Sequence, residues 1–395
     1  MGERTADYFR IFFEASQAVL SSRSLQDVLK LLVKRSVQAL GVKAGSLRLV
    51  DEETNRLELV ASHLLSRRYL NKGPLHLDRS IPEVLERRPV VIRDARTDPR
   101  VQYREEKSAE GLCSLLSVPV VARDRVIGVL RLYSAEPREF LPEEIEFVSA
   151  LGEMGGLAIA NARVYEEQGV QLSSLLQGLG VELPGEVTAR KRRFRSFVGK
   201  PTAPAQRLEE FRALHAVTTA ILASLDAAGA TSLILEKVVG LTGVKGGSLL
   251  LVSEATGRLE LAASQGLSDA YLGKGPLHAD RSIQETLAGS PVFIRNVRTD
   301  PRVEYPEAAA REGIASILSI PIVARERVIG VLRLYSAEPR DYSQDDVAFL
   351  SALAEIAGIA LMNARLYERT RYDLSFWQAT VSYLGKGSEG ETGGE

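Results

Sequence analysis

The chain repeats itself at a constant distance of 202 residues along its length. Residues 96–101 return with identical sequence as 298–303, and residues 126–138 return unchanged as 328–340. Every matching pair has the same offset, so no insertion or deletion separates the copies between these segments. Solenoid repeats have periods of about 20–50 residues. A period this long therefore predicts two copies of one folded domain.

The repeat also sets the expected domain boundaries. The first copy covers residues 8–168 and the second covers residues 208–370. Residues 169–207 are predicted to be a helical extension followed by a basic linker with Pro and Gly, which interrupt helices. After the second copy, residues 371–384 have the apolar spacing of a C-terminal helix. The Gly/Glu/Ser-rich residues 385–395 are predicted to be a disordered tail.

Charge and cysteine content exclude several classes of function. The formal net charge of the 395 residues is -1, which gives no general attraction to nucleic acid or acidic membranes. The basic run at 190–195 is short and has no helix-turn-helix beside it, so we do not expect nucleic-acid binding. The single cysteine, Cys113, excludes an intramolecular disulfide and fits a reducing compartment. No apolar run reaches the roughly 18 residues of a membrane span. We expect a cytoplasmic protein.

Apolar spacing and turn signals predict a domain that begins and ends with helices. Two amphipathic helices over residues 8–40, separated near Ser24, precede all predicted strands. Pro142 begins a last long helix that runs to about Gly178. The predicted strands cover residues 45–50, 57–62, 90–92, 115–121 and 125–133, with short helices near 64–71 and 80–87. This order predicts an α+β domain with an antiparallel sheet, not a doubly wound one.

The last strand pair of each copy resembles the GAF domain family. Residues 114–119 have the pattern S-x-x-x-x-P, a polar turn follows, and residues 127–130 read I-G-V-L. The second copy repeats both patterns at 316–321 and 329–332. The resemblance implies two α+β domains, each a six-stranded antiparallel sheet with terminal helices on one face and loops and short helices on the other. Where family members have a ligand pocket it lies on the loop-covered face, and their terminal helices commonly pair in dimers.

Strand alternation selects the side chains that would face such a pocket. Arg131 and Tyr133 share one face of their strand, and the opposite face is apolar and suits the terminal helices. Alternation places Arg48 of the first hairpin on the pocket side as well. The corresponding residues of the second copy are Arg333, Tyr335 and Leu250.

A buried guanidinium group needs a partner, because an unpaired one is strongly destabilising. Two partners are open at this point. Alternation puts Glu58 on the face of Arg131, and Glu260 on the face of Arg333, which would give a structural ion pair. The other candidate is a small anion bound in the pocket. Arg48 favours the anion in the first copy, so we expect the first copy to be the ligand-binding one.

A loop after the first hairpin recurs with one change and offers further donors. His76, Arg79 and Ser80 lie at the end of a predicted short helix, a place that suits an anion. His278 and Arg281 repeat the arrangement in the second copy. The alternative is loop architecture, in which Gly and Pro shape the turn and Ser80 caps the next helix. His76 is also the one attractive axial ligand for haem in the first copy.

The chemistries of other GAF proteins that use cysteine do not fit. A single thiol cannot support the methionine sulfoxide reduction of some members. Cys113 stands at the entrance of a strand and not at a bilin-attachment position, so we interpret it as a small buried apolar residue. The chain also has no kinase phosphoacceptor, no cyclase motif and no Walker loop. We expect no enzymatic activity.

These patterns predict a cytoplasmic tandem-GAF regulatory protein. We expect it to bind a small molecule or a partner protein and to pass a conformational change through its terminal helices to another protein. Apolar residues at 172, 175, 176 and 179 continue a helical stripe, which favours a homodimer through those helices. Two alternatives stay open. One is an interaction scaffold whose pockets are filled by their own side chains, and the other is a sensor that holds haem or another cofactor, although the residues identify none.

Overall fold

The computed structural model describes two domains of the same architecture. It describes residues 8–21, 24–51, 53–54, 56–76, 82–122, 124–178, 204–223, 227–253, 256, 258–275, 284–324, 327–362 and 364. The predicted basic linker run, the C-terminal helix at 371–384 and the tail at 385–395 lie outside these residues.

The first domain begins with two helices, continues with strands and ends with a long helix. Its helices are α1 (Tyr8–Ser21), α2 (Leu25–Leu40), α3 (Arg67–Leu70), α4 (Arg104–Ala109) and α5 (Pro142–Gly178), with a 3-10 turn at Pro82–Val84. Its strands are β1 (Ala44–Asp51), β2 (Arg56–His63), β3 (Leu75–His76), β4 (Val90–Ile92), β5 (Ser114–Ala122) and β6 (Arg125–Ser134). They form one antiparallel sheet in the order β3-β2-β1-β6-β5-β4. The α+β fold with a six-stranded sheet is confirmed for this copy.

Local signals explain where the main helices begin and end. The Ser24 side chain accepts a hydrogen bond from the backbone N–H of Asp27 at 3.2 Å and so caps α2. Gly41 ends α2 in the left-handed region, with φ of 59°. The short helix α4 was not predicted, because its six residues, four of them charged, carry no apolar periodicity.

The second domain repeats this order. Its helices are α6 (Pro204–Ala223), α7 (Ala227–Thr242), α8 (Asp269–Leu272), α9 (Gln284–Leu287), α10 (Pro306–Arg311) and α11 (344–362). Its strands are β7 (Gly246–Val252), β8 (Leu259–Gln265), β9 (Val292–Ile294), β10 (Ser316–Ala324) and β11 (Arg327–Ser336), in the sheet order β8-β7-β11-β10-β9. The counterpart of β3 would fall at 277–278, outside the described residues. No helix in the described ranges is both long and apolar enough to cross a membrane.

Each side of the first sheet has its own apolar core. Leu130 and Leu132 of β6 lie in the large cluster that includes α2 and α5. The opposite side carries a smaller cluster that includes Leu57, Val129 and Tyr133. The predicted assignment of the two faces of β6 is therefore confirmed. The smaller cluster forms the floor of the loop-covered face.

The first helices of the two domains pack against each other. Phe12 of α1 and Phe211 of α6 meet edge to face, with ring centroids 5.2 Å apart. The closing helices complete a four-helix bundle, since Phe211 lies 5.7 Å from Phe147 of α5 and Phe9 lies 5.9 Å from Phe349 of α11. Phe9 and Phe211 are repeat equivalents, and so are Phe147 and Phe349. A pseudo-twofold axis therefore relates the two domains, as in a symmetric dimer.

Polar contacts differ between the two sides of this bundle. Arg212 of α6 forms two hydrogen bonds with the carboxylate of Glu146 on α5, at 2.7 and 2.9 Å. One turn further along, His215 Nε2 lies 3.0 Å from Glu153 Oε2. The corresponding residues on the other side are Arg10, Ala348, Phe13 and Glu355. Terminal helices thus pair within one chain, and their pairing between chains stays a prediction.

Candidate functional site

Arg48, Arg131 and Tyr133 lie together on the loop-covered face, as alternation predicted. Ser46 of β1 pairs with Arg131 of β6, and Arg48 pairs with Val129. Arg48 and Arg131 are therefore diagonal neighbours on adjacent strands. Both are buried, with 7% and 4% of their surface exposed. The sheet brings two positive charges into one small region.

Glu58 does not face Arg131, and the predicted ion pair is wrong. A β-bulge at Val60 shifts the pairing of β2 with β1. Beyond the bulge Glu58 pairs with Leu49, which packs against the helix-covered core, and the Glu58 side chain is exposed. Glu260 is displaced in the same way by the same irregularity in the second domain. One extra residue moves a side chain to the other face of a sheet.

Arg131 has a partner on the neighbouring strand instead. Its Nε donates a hydrogen bond to Ser117 Oγ at 3.0 Å, directly across the β5–β6 ladder. Ser117 is itself fully buried. This hydroxyl satisfies one of the N–H groups of the guanidinium.

Arg48 is held by a backbone group. Its Nη1 donates to the carbonyl oxygen of Leu57 at 3.0 Å. Its Nε is buried, and no described residue accepts a hydrogen bond from it. Burial, and to a smaller degree the charge of Arg131, lowers the pKa of the Arg48 guanidinium.

Lys72 brings a third cation against the ring of Tyr69. Its Nζ lies 3.8 Å from the ring centroid of Tyr69 and donates to the carbonyl oxygen of the same residue at 3.2 Å. Tyr69 meets Tyr133 edge to face at 6.1 Å, and the Tyr133 hydroxyl lies 3.2 Å from Ser46 Oγ. Burial, together with the two guanidinium charges, lowers the pKa of Lys72 to about 8. Burial also raises the pKa of Tyr69, so this hydroxyl stays neutral.

Lys107 of α4 is the fourth cation, and sequence reasoning missed it. Only 2% of its surface is exposed, and its Nζ donates to the carbonyl oxygen of Gln102. Burial, followed by the charges of Arg131 and Lys72, lowers the pKa of Lys107 to about 6. A signal was present in the sequence, because the repeat equivalent of Lys107 is Ala309. A lysine that appears in one of two near-identical copies marks a position where the copies differ in chemistry.

Two described carboxylates near these side chains, those of Glu106 and Glu110, are directed away from them. Glu106 and Glu110 raise the pKa of Lys72, but Glu106 is exposed to solvent. Glu110 accepts hydrogen bonds from the backbone N–H and the hydroxyl of Ser66, at 2.7 and 2.6 Å. Within the described part of the chain, no carboxylate forms an ion pair with Arg48, Lys72 or Lys107. These three side chains bring positive charge to the loop-covered face without a described carboxylate partner.

The second domain keeps only half of this charge. It retains Lys274 and Arg333, with Lys274 Nζ 3.8 Å from the ring centroid of Tyr271. Three other positions change, since Arg48, Lys107 and Gln102 of the first domain are replaced by Leu250, Ala309 and Glu304. Two cations are lost and one carboxylate is gained.

A narrow cleft occupies the loop-covered face of the second domain. It lies between Tyr271, Lys274, Glu304, Tyr305 and Arg333, and its void of about 220 Å³ includes space open to solvent. The space inside it that the centre of a water molecule can reach is about 10 Å³, which is room for about one water.

Arg333 and Ser319, beneath this cleft, do not form the hydrogen bond that their counterparts form in the first domain. Arg333 Nε and Ser319 Oγ correspond to the hydrogen-bonded pair of Arg131 and Ser117. Both atoms are buried, and neither has a hydrogen-bond partner among the residues that the structure describes. The same two residue types therefore have different surroundings in the two domains.

The GAF domain family accounts for both copies. A sequence model of the GAF domain matches residues 22–160 and 224–362, together more than half of the chain. The chain belongs to the GAF domain family. The two matched segments share the repeat offset, so both GAF domains are members in their own right.

Several curated proteins are similar to part of this GAF chain. The formate hydrogenlyase transcriptional activator of Salmonella typhimurium is 22% identical over 175 residues, which are 42% of this chain and 25% of that protein. The circadian input-output histidine kinase CikA of Thermosynechococcus vestitus is 30% identical over 171 residues, 42% of this chain and 22% of the kinase. The nitrogen fixation protein VnfA of Azotobacter vinelandii is 25% identical over 214 residues, 52% of this chain and 38% of VnfA. The chain thus spans well under half the length of these relatives.

Solved structures of single GAF domains are similar to part of the chain. The GAF domain of a phosphoenolpyruvate-protein phosphotransferase from Coxiella burnetii is 26% identical, with 41% of this chain and 98% of that domain covered and a TM-score of 0.38. The corresponding domain from Acinetobacter is 27% identical, with 42% and 99% covered and a TM-score of 0.35.

The structure describes some of the remaining predicted site residues of the GAF domains and not others. His76 ends β3 and is half-buried, and its backbone is bound by the side-chain amide of Gln102. Tyr335 lies beneath the second cleft, with its hydroxyl 2.9 Å from Ser248 Oγ. The other predicted loop residues lie outside the described residues and are Arg79, Ser80, His278 and Arg281.

Cys113 was predicted to be a small buried residue and is half-buried. The reason is its place just before β5, where the chain enters the sheet from the loop side. In the loop over residues 93–100, Arg96 pairs with Asp94 and Arg100 pairs with Asp98, while Arg93 pairs with Glu139 outside the loop. The described residues contain no group of three or more His, Cys, Asp or Glu side chains that could hold a metal ion.

Proposed function

We propose that the first GAF domain binds a small anion with two or more negative charges, and that the chain is a regulator and not an enzyme. The observation that carries this proposal is the convergence of Arg48, Lys72, Lys107 and Arg131 on the loop-covered face. Burial, and after it the positive charges of neighbouring side chains, lowers the pKa of both lysines. An anion placed among them would reduce the repulsion between these charges.

The hydrogen-bonding groups suit an anion that accepts several hydrogen bonds. Arginine presents planar N–H groups to oxyanions such as carboxylate or phosphate, and lysine presents a compact charge. Arg48 has a buried Nε that no described residue accepts from. Ser46 and Tyr133 add hydroxyl groups beside the guanidinium groups. A small dicarboxylate, tricarboxylate or inorganic oxyanion matches this donor set.

The alternative of a scaffold with filled pockets fits the second GAF domain better. Its cleft has room for about one water, and Glu304 brings a negative charge to its wall. We therefore propose that the first domain senses the ligand and that the second domain mainly transmits the change.

The four-helix bundle is the proposed route between the two domains. In the first domain, the strand β6 that carries Arg131 is followed by the bundle helix α5. The strand β1 that carries Arg48 is preceded by α2, which follows the bundle helix α1. Across the bundle, Arg212 and His215 of α6 contact α5. A shift of α5 on ligand binding would therefore act directly on the second domain.

We propose that the chain passes its signal on by binding another protein in the cytoplasm. The relatives named above include a transcriptional activator and a histidine kinase, which supports a place in signalling. A second copy of the chain is the proposed dimer partner. Helix α5 continues to Gly178, and the apolar stripe beyond residue 168 suits pairing with a second α5. Light scattering on the full chain measures this, and replacing Leu172 and Leu175 by Glu should convert the proposed dimer into a monomer.

Isothermal titration calorimetry on the full chain tests ligand binding, with sulfate, phosphate, succinate and citrate as probes. The key variant places the residues of the second domain in the first, as Arg48→Leu with Lys107→Ala. Each charge-assisted contact contributes about 1.5–3 kcal/mol, so the affinity should fall by about 100-fold or more. The matched control, Lys274→Ala in the second domain, should leave the affinity unchanged.

The reciprocal change sharpens the test. Leu250→Arg with Ala309→Lys gives the second domain the two missing cations, and we expect a second, weaker binding event. Equal affinity in the Arg48→Leu, Lys107→Ala variant and the unmodified chain would contradict the proposal, provided that both unfold at the same temperature. Absence of binding to every probe would contradict it too.

A further inference from the structure

Two segments cover the loop side of the first GAF domain, residues 66–76 with α3 and residues 102–110 with α4. Tyr69 of the first segment and Lys107 of the second are each 2% exposed, so both segments place a large side chain below the surface. Arg48 in the sheet is also buried. Solvent therefore reaches these side chains only when the domain opens locally.

Hydrogen bonds join the two segments at the start of α4. The side-chain amide of Gln102 donates to the carbonyl oxygen of His76 at 3.1 Å, and its oxygen accepts from the backbone N–H of the same residue at 3.4 Å. The Tyr103 hydroxyl donates to the carbonyl oxygen of Pro74 at 2.9 Å. The second domain has Glu304 in place of Gln102, and a carboxylate cannot donate to a carbonyl oxygen. This way of closing therefore belongs to the first domain.

A carboxylate joins the same segments at the end of α4. Glu110 accepts hydrogen bonds from the backbone N–H and the hydroxyl of Ser66, the residue that caps α3. Between the two ends, Lys107 is the buried residue of α4, and no apolar side chain of this helix is buried. An element with few buried apolar contacts opens at a low cost in free energy. The polar contacts at its two ends therefore hold α4 in place.

The backbone of Tyr103 is strained where α4 begins. Its φ of 57° and ψ of 54° lie in the left-handed region, which is unfavourable for a residue with a Cβ. Its repeat equivalent, Tyr305, has φ of -127° and ψ of 66°. Each tyrosine hydroxyl nevertheless approaches the equivalent glycine of the preceding loop, Gly73 or Gly275, equally closely. The two domains thus place the same ring with two different backbone conformations.

The following residue accounts for this difference. Pro306 follows Tyr305, and a residue before proline is shifted towards extended backbone. Arg104 follows Tyr103 and imposes no such restriction. The first domain can therefore change its backbone conformation at this point, whereas proline fixes the second.

We propose that residues 102–110 of the first GAF domain form a hinged lid. The lid opens when Tyr103 leaves the left-handed region for an extended conformation and Glu110 releases Ser66. The strain at Tyr103 lowers the cost of opening, and the open lid gives solvent access to Lys107. Opening needs no anion, so it is independent of the proposed function.

Hydrogen–deuterium exchange of the full chain, followed by mass spectrometry, measures the opening. Glu110→Gln weakens the contact with α3, because an amide has one acceptor oxygen and no charge. Residues 104–112 should exchange about tenfold faster in this variant, and residues 66–76 should follow them. The matched control is Glu312→Gln, which weakens the equivalent contact with Ser268 in the second domain. It should leave the exchange of residues 104–112 unchanged.

A second variant tests the hinge. Arg104→Pro introduces the proline of the second domain, and a helix accepts proline at its first position. Because proline shifts Tyr103 towards extended backbone, residues 104–112 should again exchange about tenfold faster. Residues 114–122 of β5 should keep their exchange rate in both variants. Unchanged or slower exchange of residues 104–112 in Arg104→Pro would overturn the hinge, and an equal gain in β5 would show unfolding of the domain instead of a lid.

Acylation of Lys107 gives a second readout of the same opening. An N-hydroxysuccinimide ester of acetate reaches this buried amine only when the lid is open, whereas Lys30 of α2 is exposed and reports the reactivity of the reagent. The acylation rate of Lys107 relative to Lys30 should rise in Glu110→Gln and Arg104→Pro by the same factor as the exchange rate. Faster exchange without faster acylation would overturn the claim that the lid covers Lys107. Unchanged exchange in both variants would overturn the lid itself and leave the proposed function intact.

Discussion

The hydroxyl of Thr218 donates to Ser16 Oγ at 3.4 Å, and these two residues occupy the same position in the two copies of the repeat. A residue contacts its own repeat equivalent only close to an axis of symmetry. The contact therefore marks the pseudo-twofold axis between the GAF domains, and both residues are fully buried there. The duplication has placed within one chain a helix pairing that two single-domain chains would have to form by association.

The aromatic cluster at this axis should carry much of the stability of the domain pair. Phe12 is fully buried and contacts both Phe211 and His215. Phe12→Ala should lower the free energy of unfolding by about 3–5 kcal/mol, because it removes a large buried ring and leaves a cavity. Urea denaturation followed by circular dichroism measures this. Leu241→Ala, at an exposed position of α7, is the control and should cost less than about 1 kcal/mol. Equal losses in the two variants would contradict the importance of the bundle.

Glu355 in the bundle should make the protein less stable as the pH rises. Burial raises the pKa of this carboxyl group, although the side chain of Gln17 hydrogen-bonds to it. A carboxyl group with a higher pKa in the folded state favours folding while protonated, and the advantage is lost as it ionises. Glu355→Gln should therefore raise the melting temperature at neutral pH and change it little below about pH 4. Glu153→Gln is the control, since that carboxylate lies against His215 and should show no gain at neutral pH. A stabilisation that is the same at both pH values would contradict the argument.

The hydrogen bond between Arg131 and Ser117 should matter more than its counterpart in the second domain. Ser117→Ala leaves the Arg131 Nε without its acceptor, and an unsatisfied buried donor costs about 1–3 kcal/mol. Ser319→Ala removes a buried hydroxyl that has no partner among the described residues, so it should cost little or stabilise. Chemical denaturation compares the two variants. A larger loss of unfolding free energy in Ser319→Ala than in Ser117→Ala would contradict this prediction. Glu58→Gln is the control and should leave the free energy of unfolding unchanged, because Glu58 is exposed on the face of the sheet opposite to Arg131.

Two helical glycines should respond to alanine in opposite directions. A Cβ at Gly156 of α5 would collide with the backbone carbonyl of Val121, so Gly156→Ala should force α5 away from β5 and destabilise the fold. Nothing lies within 4 Å of a Cβ at Gly240 of α7. Gly240→Ala should therefore stabilise by about 0.5–1 kcal/mol through its helix propensity. Thermal unfolding of both variants checks the contrast, and a destabilised Gly240→Ala variant would contradict it.

The strands and the faces of the central strands could be predicted from local pattern. In β6, alternating Leu130, Arg131, Leu132 and Tyr133 assigned each side chain to its face, and the register with β1 confirmed it. The same rule failed for Glu58, because a single bulged residue in β2 reverses the alternation beyond it. No composition signal marks that bulge, since Val60 is an ordinary strand residue.

Part of the candidate site was equally invisible to periodicity. Lys107 lies on the short helix α4 and Lys72 in the turn after α3, and the charged sequences there are typical of solvent-facing segments. Their burial depends on how α3 and α4 fold down over the sheet, which is a matter of contacts distant in sequence. Only the comparison of Lys107 with Ala309 between the two copies could have indicated that Lys107 is a candidate site residue.

The sequence by itself determined that this protein is a duplicated GAF chain with its antiparallel sheet, its terminal helices and the strand that presents Arg131. Repeats, apolar periodicity and caps are local, and local preferences are strong enough to predict the elements. Only the tertiary structure decided that four cations meet in the first domain and that the two copies pair around Ser16 and Thr218. Those outcomes depend on register and helix packing, where one extra residue or one side-chain volume changes which groups meet.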